Sequence, residues 1–212
     1  MTLISKDSDQ FCHLFDVPRE TIEKLSLFEI LLTKWNKTIN LVAPSTIPNI
    51  WHRHFIDSAQ LFAHKPATAH TWLDIGSGAG FPAVVLAILS QNTENPVEFT
   101  LVESDQRKCA FLMTVSNELG LELTILPERV ESLPAQKYDV ISARAVASVE
   151  KLLEMSERFV EQNTICFFPK GAKYESELTE ARKIWHIECN QLKSLTDANA
   201  VILCIESFAR VK

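Results

Sequence analysis

Glycine is scarce in this chain, with 5 among 212 residues, about a third of the usual share near 7%. Cysteine offers no framework either. Cys12, Cys109, Cys166, Cys189 and Cys204 are odd in number, scattered and never spaced as C-x-x-C, which argues against a zinc site or a disulfide scaffold. No apolar run approaches the roughly 20 residues of a membrane span. The opening MTLISKDSDQ lacks the basic-then-apolar order of a signal peptide, so a cytoplasmic protein without a membrane partner is expected. The signature of disorder is missing too, since 46% of residues are hydrophobic and the net charge is only −6. An acidic balance excludes a generic nucleic-acid binder, though not a local basic patch.

What is present is unevenly distributed. Residues 1–70 balance seven Lys/Arg against seven Asp/Glu and carry five of the six histidines, so the whole −6 falls in residues 71–212. The length suits one domain of roughly 150–200 residues plus an appendage. Residues 1–66 read as a helical extension packed on a main domain of residues 67–212.

In the extension, Asp16-Val17-Pro18 reads as a helix start, with Asp16 as N-cap and Pro18 in the first turn. Ile22, Leu25, Phe28, Leu32 and Trp35 recur at threes and fours, predicting an amphipathic helix to near Lys37. A second helix is expected from near Pro48, with Ile50, Trp51, Phe55, Ala59 and Phe62 on its apolar face. From Thr71 strands alternate with helices: strands at 71–75, 98–102, 123–126, 138–143 and 164–168, helices at 82–89, 105–119, 149–160 and 175–183. Two more strands follow near 187–192 and 200–208 with no helix between them. This pattern predicts an α/β, Rossmann-like doubly wound sheet, mostly parallel, with an antiparallel C-terminal hairpin strand. Ligands of such sheets bind at the carboxyl ends of the strands, here just after Ile75, Val102, Leu126, Ala143 and Phe168.

Three of the five glycines stand together in Asp74-Ile75-Gly76-Ser77-Gly78-Ala79-Gly80-Phe81, where the first strand turns into a helix. Glycine there permits positive φ and lets a ligand approach the backbone. The spacing is G-x-G-x-G, so the third glycine of the dinucleotide fingerprint would fall on Phe81. Asp74 would repel a pyrophosphate and tolerate a cation. Acid followed by G-x-G-x-G resembles the loop of S-adenosylmethionine (SAM) methyltransferases, with Asp74, Gly76, Gly78 and Gly80 as candidates. Glu103 ends the apolar strand Phe99-Thr100-Leu101-Val102, where nucleotide folds place the carboxylate that binds both ribose hydroxyls. It supports adenosine binding without separating SAM from a dinucleotide.

Further strings resemble one family. W-N-K-x-x-N-L at 35–41, R-H-x-x-D-S at 53–58, G-F-P at 80–82, E-S-D-Q-R-K at 103–108, R-V-E at 129–131, S-A-R-A at 142–145 and P-K-G at 169–171 are similar to the RsmG (GidB) family. The likeness runs from about Leu31 to Gly171. It departs at Ala83, commonly glycine, and at Met113-Thr114, where a basic residue is often found. The resemblance implies a bacterial SAM-dependent methyltransferase acting on N7 of one guanine in 16S ribosomal RNA, within small ribosomal subunit particles. It carries cofactor contacts onto Gly76, Phe81, Val130, Glu131 and Arg144.

Guanine N7 presents an sp² lone pair, so no general base is nominated. Substrate positioning is assigned to Arg144 and Lys170 at strand ends and to Asn40, Arg53 and His54 in the extension. Arg144 could grip the SAM carboxylate, guanine O6 or a phosphate, or pair with Glu131 or Glu150 at the surface. Lys170 is a phosphate contact or a solvated cation, and Lys34 and Lys37 are free to meet RNA. His54, Asp57 and Ser58 share a helix face at i, i+3 and i+4, too constrained for a hydrolytic triad, and are expected instead to cap and orient the rim of the site or to contact RNA. No metal site and no DNA partner is expected, and the chain is read as a monomer. Two other readings stay open: a SAM methyltransferase with another RNA base or small-molecule acceptor, and a non-catalytic nucleotide-binding module.

Overall fold

The computed structural model describes residues 6–211, with side chains from Ser8 onward. Seven strands form one sheet in the order β3-β2-β1-β4-β5-β7-β6: β1 is Thr71–Ile75, β2 Glu98–Val102, β3 Leu123–Leu126, β4 Val140–Ser142, β5 Ile165–Lys170, β6 Trp185–Lys193 and β7 Val201–Arg210. The pairs joining β1 to β5 are parallel, and β7 is antiparallel to both β5 and β6. The mostly parallel sheet with a C-terminal hairpin is therefore as the alternating pattern predicts. The hairpin's second strand lies inside, between β5 and β6, so β6 forms the edge.

The sheet is buried on both faces because side chains alternate along each strand. Trp72, Phe99, Leu101, Val140, Phe167 and Ile202 point to one face; Leu73, Val102, Ile141, Cys166, Phe168 and Leu203 point to the other. Helices α4 (Ala83–Ser90) and α5 (Gln106–Leu119) cover the first face, and α6 (Val149–Ser156) and α7 (Tyr174–Ala181) the second. Asp105 caps α5 by accepting from Arg107 N, and Gly120 ends it at φ 58°. Ser148 caps α6, which stops four residues short of the expected Val160. Among the described residues no helix is long and apolar enough to cross a membrane.

The N-terminal part differs most from expectation. Helix α1 (Lys6–Leu14) was not anticipated. Among its described side chains only Ser8 and Phe11 are buried, too sparse for a recognisable stripe. Helix α2 (Arg19–Asn36) begins with Pro18 as the N-cap in extended geometry, and no side chain caps it, so Asp16 does not play the expected role. Pro18 can stand there because the first amide of a helix needs no intrahelical acceptor. In place of one helix from Pro48 the chain makes a 3₁₀ turn (Pro44–Asn49), a π turn (Trp51–Ile56) and a single turn, α3 (Asp57–Ala59). The expected apolar set still turns inward, with Ile50, Trp51, Phe55 and Ala59 buried.

These segments belong to the same core as α4 and α5. Leu25, Phe28 and Leu32 are fully buried, and the Phe28 ring lies 5.3 Å from Phe81 and 6.3 Å from Phe111. Truncating an aromatic at such a position typically costs about 3–5 kcal/mol. The packing therefore fixes the π turn against the loop that follows β1.

Candidate cofactor and acceptor site

The order reverses between β1 and β4, and the loop after β1 opens there at the carboxyl ends of the strands. Its backbone is closed on itself and on β2. Gly76 N and Ser77 N donate to Val102 O at 2.8 and 3.0 Å, and Gly80 N donates to Ser77 O at 2.7 Å. Gly78 N donates to Glu103 Oε2 at 2.9 Å. Four amides of the loop are thus consumed, and they form no free N–H nest of the kind that grips a pyrophosphate. Two glycines are needed for space as well as for positive φ. A Cβ on Gly76 would lie 2.7 Å from Val146 Cγ2, and one on Gly80 would lie 2.5 Å from Val84 Cγ2.

Two carboxylates flank this loop. Glu103 is nearly buried, and its other oxygen accepts from Asp105 N at 2.8 Å. It therefore ties the end of β2 to the loop while each oxygen keeps a second lone pair. Asp74 is buried behind the loop. Its Oδ1 accepts from Ser142 Oγ, which in turn accepts from Trp72 Nε1. Asp74 Oδ2 is without a partner among the described residues. Burial raises the Asp74 carboxyl to about 6, against the hydrogen bond from Ser142. A cationic ligand would relieve that cost.

Arg144, just past β4, is the centre of the polar network. Its Nη1 donates to Asp57 Oδ2 at 3.0 Å and its Nη2 meets His54 Nδ1 at 3.1 Å. The guanidinium lies 4.8 Å from the Phe81 ring centre, and the His54 ring stacks on Phe81 at 4.9 Å. A guanidinium cannot accept, so His54 Nδ1 is the acceptor, and the protonated Nε2 donates to Thr46 Oγ1 at 2.8 Å. Burial, reinforced by Arg144 and Arg53, lowers the His54 pKa to about 3. The imidazole is accordingly neutral, with both nitrogens engaged. The Arg144 side chain is 16% exposed, and its partner is Asp57, not Glu131 or Glu150.

Two cavities meet at Arg144, Ala145 and Val146. One, of about 590 Å³, is lined by Arg53, His54, Gly76, Gly78, Phe81 and Glu103. A side pocket of about 130 Å³ extends it to Val130 and Glu131. The other cavity, of about 520 Å³, lies over β4, β5 and β7 and includes Arg53 and Lys170. The structure thus gathers these candidates at one end of the sheet, with Asp74 and Gly80 behind the loop. Asn40 is exposed and lines neither cavity. Lys170 is committed to a neighbour, donating to Glu177 Oε2 at 2.8 Å and to Ala147 O.

Several residues here were not among the site candidates expected from the sequence. Asn36, within the string W-N-K, accepts from both Leu41 N and Val42 N at 2.9 Å and shapes the rim. Asp57, expected only as a rim or RNA contact and not as a catalytic group, anchors Arg144. Ser58 does not share its surroundings, being buried with Oγ unpartnered among the described residues. Lys108, in the first turn of α5, adds a cation to the larger cavity. The family-like strings W-N-K-x-x-N-L, R-H-x-x-D-S and E-S-D-Q-R-K contain Asn36, Asp57 and Lys108, but by its chemistry Lys108 looks like any surface lysine.

A parallel sheet reversing at β1/β4, an antiparallel hairpin, a G-x-G-x-G loop and an acid closing β2 define a Rossmann-like fold of the SAM-methyltransferase type. Solved structures agree on the fold. A putative O-methyltransferase from Klebsiella pneumoniae superposes with a TM-score of 0.60, at 12% identity, covering 95% of this chain and 96% of that one. An MtNAS variant in complex with S-adenosylmethionine gives a TM-score of 0.55, at 12% identity, over 92% and 82% of the two chains. The sequence is more specific. Residues 21–203 match the GidB family profile, described as rRNA small subunit methyltransferase G. The ribosomal RNA small subunit methyltransferase G of Cereibacter sphaeroides is 50% identical over 92% of this chain and 95% of its own length. The chain belongs to the rRNA small subunit methyltransferase G family.

Proposed function

We propose that this protein transfers a methyl group from SAM to N7 of a specific guanine in 16S rRNA, by in-line displacement without a general base. One observation carries the finer part of this reading. Every carboxylate and imidazole lining the two main cavities is already partnered: Asp57 by Arg144, His54 by Arg144 and Thr46, and Glu103 by two amides. Glu177 is held by Lys170, and Asp197 by Asn199 N with Arg53 nearby. An exocyclic amine or a ribose hydroxyl must lose a proton to accept a methyl group. Guanine N7 need not, and it suits a site with no base to spare.

In this reading the larger cavity and its side pocket hold the cofactor. Gly76, Gly78 and Phe81 form its floor, Glu103 faces the ribose, and Val130 and Glu131 lie at the adenine end. The loop supports SAM over a dinucleotide because four of its amides are spent and its flanking groups are acids, which suit a sulfonium and an ammonium. SAM supplies an electrophilic methyl group when bound. The chain's own work is orientation and exclusion of water, which can contribute roughly 7–11 kcal/mol. Arg144, held by Asp57, His54 and Phe81, presents a fixed guanidinium between the cofactor cavity and the second cavity, which receives the guanine. Arg53 and Lys108 add positive charge where the RNA backbone would pass.

The test is transfer of labelled methyl to small-subunit RNA, or to ribosomal particles at successive assembly states, from cells lacking this protein, followed by mapping of the methylated atom. Label on guanine N7 of 16S rRNA is expected. Label on another atom would replace the acceptor assignment, and calorimetric preference for NAD over SAM would overturn the cofactor.

A further inference from the structure

We propose that the turn between β6 and β7 is one wall of the acceptor cavity and that Thr196 in it is a positioning residue, setting the Arg144 guanidinium through Asp57. This rests on the reading of Arg144 as the group that meets the acceptor. A hairpin can close with two residues. Here residues 194–200 instead reach back to α3, the single turn in the N-terminal segment. Thr196 Oγ1 donates to Asp57 Oδ1 at 2.9 Å, across 139 positions of sequence. Gln60 clamps the same place, donating to Asp57 Oδ1 at 3.1 Å and accepting from Leu195 N at 2.8 Å. The opposite carboxylate oxygen, Oδ2, holds Arg144. Asp57 thus divides its oxygens between the turn and the guanidinium, and a rotation of the carboxylate at one end moves the other.

The turn also faces the cavity. Ser194, Thr196 and Asp197 line it together with Lys170, while Leu195 is 55% exposed. Ser194 Oγ lies 3.0 Å from Thr196 Oγ1 and accepts from Thr196 N at 3.1 Å. These contacts fix the hydroxyl that donates to Asp57. The exposed Arg53–Asp197 contact at 3.8 Å adds little. The latch is therefore the Thr196–Asp57–Gln60 group. A guanine entering this cavity would lie between the turn and Arg144, so the two walls that orient it are coupled through one carboxylate.

The experiment compares Thr196→Val and Thr196→Ser with the wild-type protein, alone and with Arg144→Ala. Thr196→Val should lower kcat for methyl transfer about tenfold with SAM Kd within twofold, and Thr196→Ser should restore it. On the Arg144→Ala background Thr196→Val should have no further effect, because the two act as one unit. Independently of activity, the slowly exchanging Nη protons of Arg144, assigned by their loss in Arg144→Ala, should broaden in Thr196→Val. Unchanged kcat together with unchanged Nη signals would overturn the proposal. So would an additive loss with Arg144→Ala, or a parallel loss of SAM affinity, either of which marks a merely structural turn. If the wild-type protein methylates no small-subunit RNA, the functional reading falls, and the Nη signals alone decide the link from Thr196 to Arg144.

Discussion

Arg144 Nη1 and Asp57 Oδ2 meet at 3.0 Å although 87 positions separate them in the chain, and this pair joins α3 of the N-terminal segment to the end of β4. Both side chains are largely shielded, at 16% and 19% exposure. Burial lowers the Arg144 pKa and the Asp57 charge opposes the shift. Breaking one side of such a pair leaves the other charge stranded, at a cost of about 3 kcal/mol or more. Arg144 keeps only His54 and the Phe81 face when Asp57 is removed, whereas Asp57 keeps Thr196 and Gln60 when Arg144 is removed. Asp57→Ala is therefore expected to destabilise more than Arg144→Ala, measured by urea midpoints. Arg144→Ala should abolish most methyl transfer while losing less stability than Asp57→Ala. Equal losses of stability would refute the asymmetry.

The neutral state of His54 predicts an acid-sensitive site. Its pKa falls from 6.5 to about 3 on folding through burial and the nearby arginines. A depressed folded value means that this stabilisation is complete above pH 6.5 and is lost as pH falls toward 3. The whole effect is on the order of 5 kcal/mol. His54→Gln keeps an acceptor for Arg144 and a donor for Thr46 but does not titrate. Wild-type stability should thus decline more steeply than that of His54→Gln between pH 6.5 and 4. Parallel curves would remove His54 as the cause.

Gly80 and Gly78 should separate folding from binding. A Cβ at Gly80 meets both Val84 and Leu112, at 2.5 and 3.2 Å, so Gly80→Ala should destabilise by about 2–3 kcal/mol from overpacking and unfavourable φ together. A Cβ at Gly78 meets nothing closer than Gly76 O at 3.8 Å. Gly78→Ala should therefore cost about 1–2 kcal/mol from φ alone while weakening SAM binding sharply, because the new methyl lies on the lining of the cofactor cavity. Calorimetry beside thermal melts distinguishes the two; a Gly78→Ala protein that binds SAM normally would contradict the cavity assignment.

For Glu103, the geometry changes what a simple ribose contact would imply. Its carboxylate also holds Gly78 N and Asp105 N, and hydrogen bonds to a charged group contribute about 1.5–3 kcal/mol each. Glu103→Ala should lower stability as well as SAM affinity, and Glu103→Gln should retain more of the stability than of the affinity. Full retention of the melting temperature by Glu103→Ala would show that these bonds do not hold the loop.

Much of the fold is legible in the sequence because burial on both sheet faces imposes short apolar strands, and the scarcity of glycine marks the loop after β1. The strand ends that gather Gly76, Glu103, Val130 and Arg144 follow from that order. The π turn is not legible: Ile50, Trp51, Phe55 and Ala59 fit an ordinary helix equally well, and the wider turn is fixed by packing on α2 and Phe81. Nor is the pairing of Arg144, since Glu131 and Glu150 are nearer in sequence and Asp57 becomes its neighbour only when the N-terminal segment docks. Thr196 carries no signal at all, being a common residue in a polar turn whose contact crosses 139 positions.

Asp74 supplies the last prediction, with the opposite sign to His54. Its folded pKa is raised from 3.8 to about 6 by burial, so its contribution to stability is complete below pH 3.8 and is lost as pH rises through about 6. At pH 8 the ionised carboxylate is a burden on the empty protein, of roughly 2–3 kcal/mol. Asp74→Asn keeps an oxygen for Ser142 and carries no charge, although its amide then lacks an acceptor. Relative to wild type, its melting temperature should therefore be lower or equal at pH 4 and should rise across pH 5–8. A cationic ligand reverses the balance, since it favours the ionised form. SAM affinity of the wild-type protein should thus increase between pH 5 and 7, with proton release seen by calorimetry in buffers of different ionisation enthalpy, and Asp74→Asn should lose both affinity and proton release. A wild-type affinity flat across that range, with no proton released, would show that Asp74 does not sense the ligand's charge.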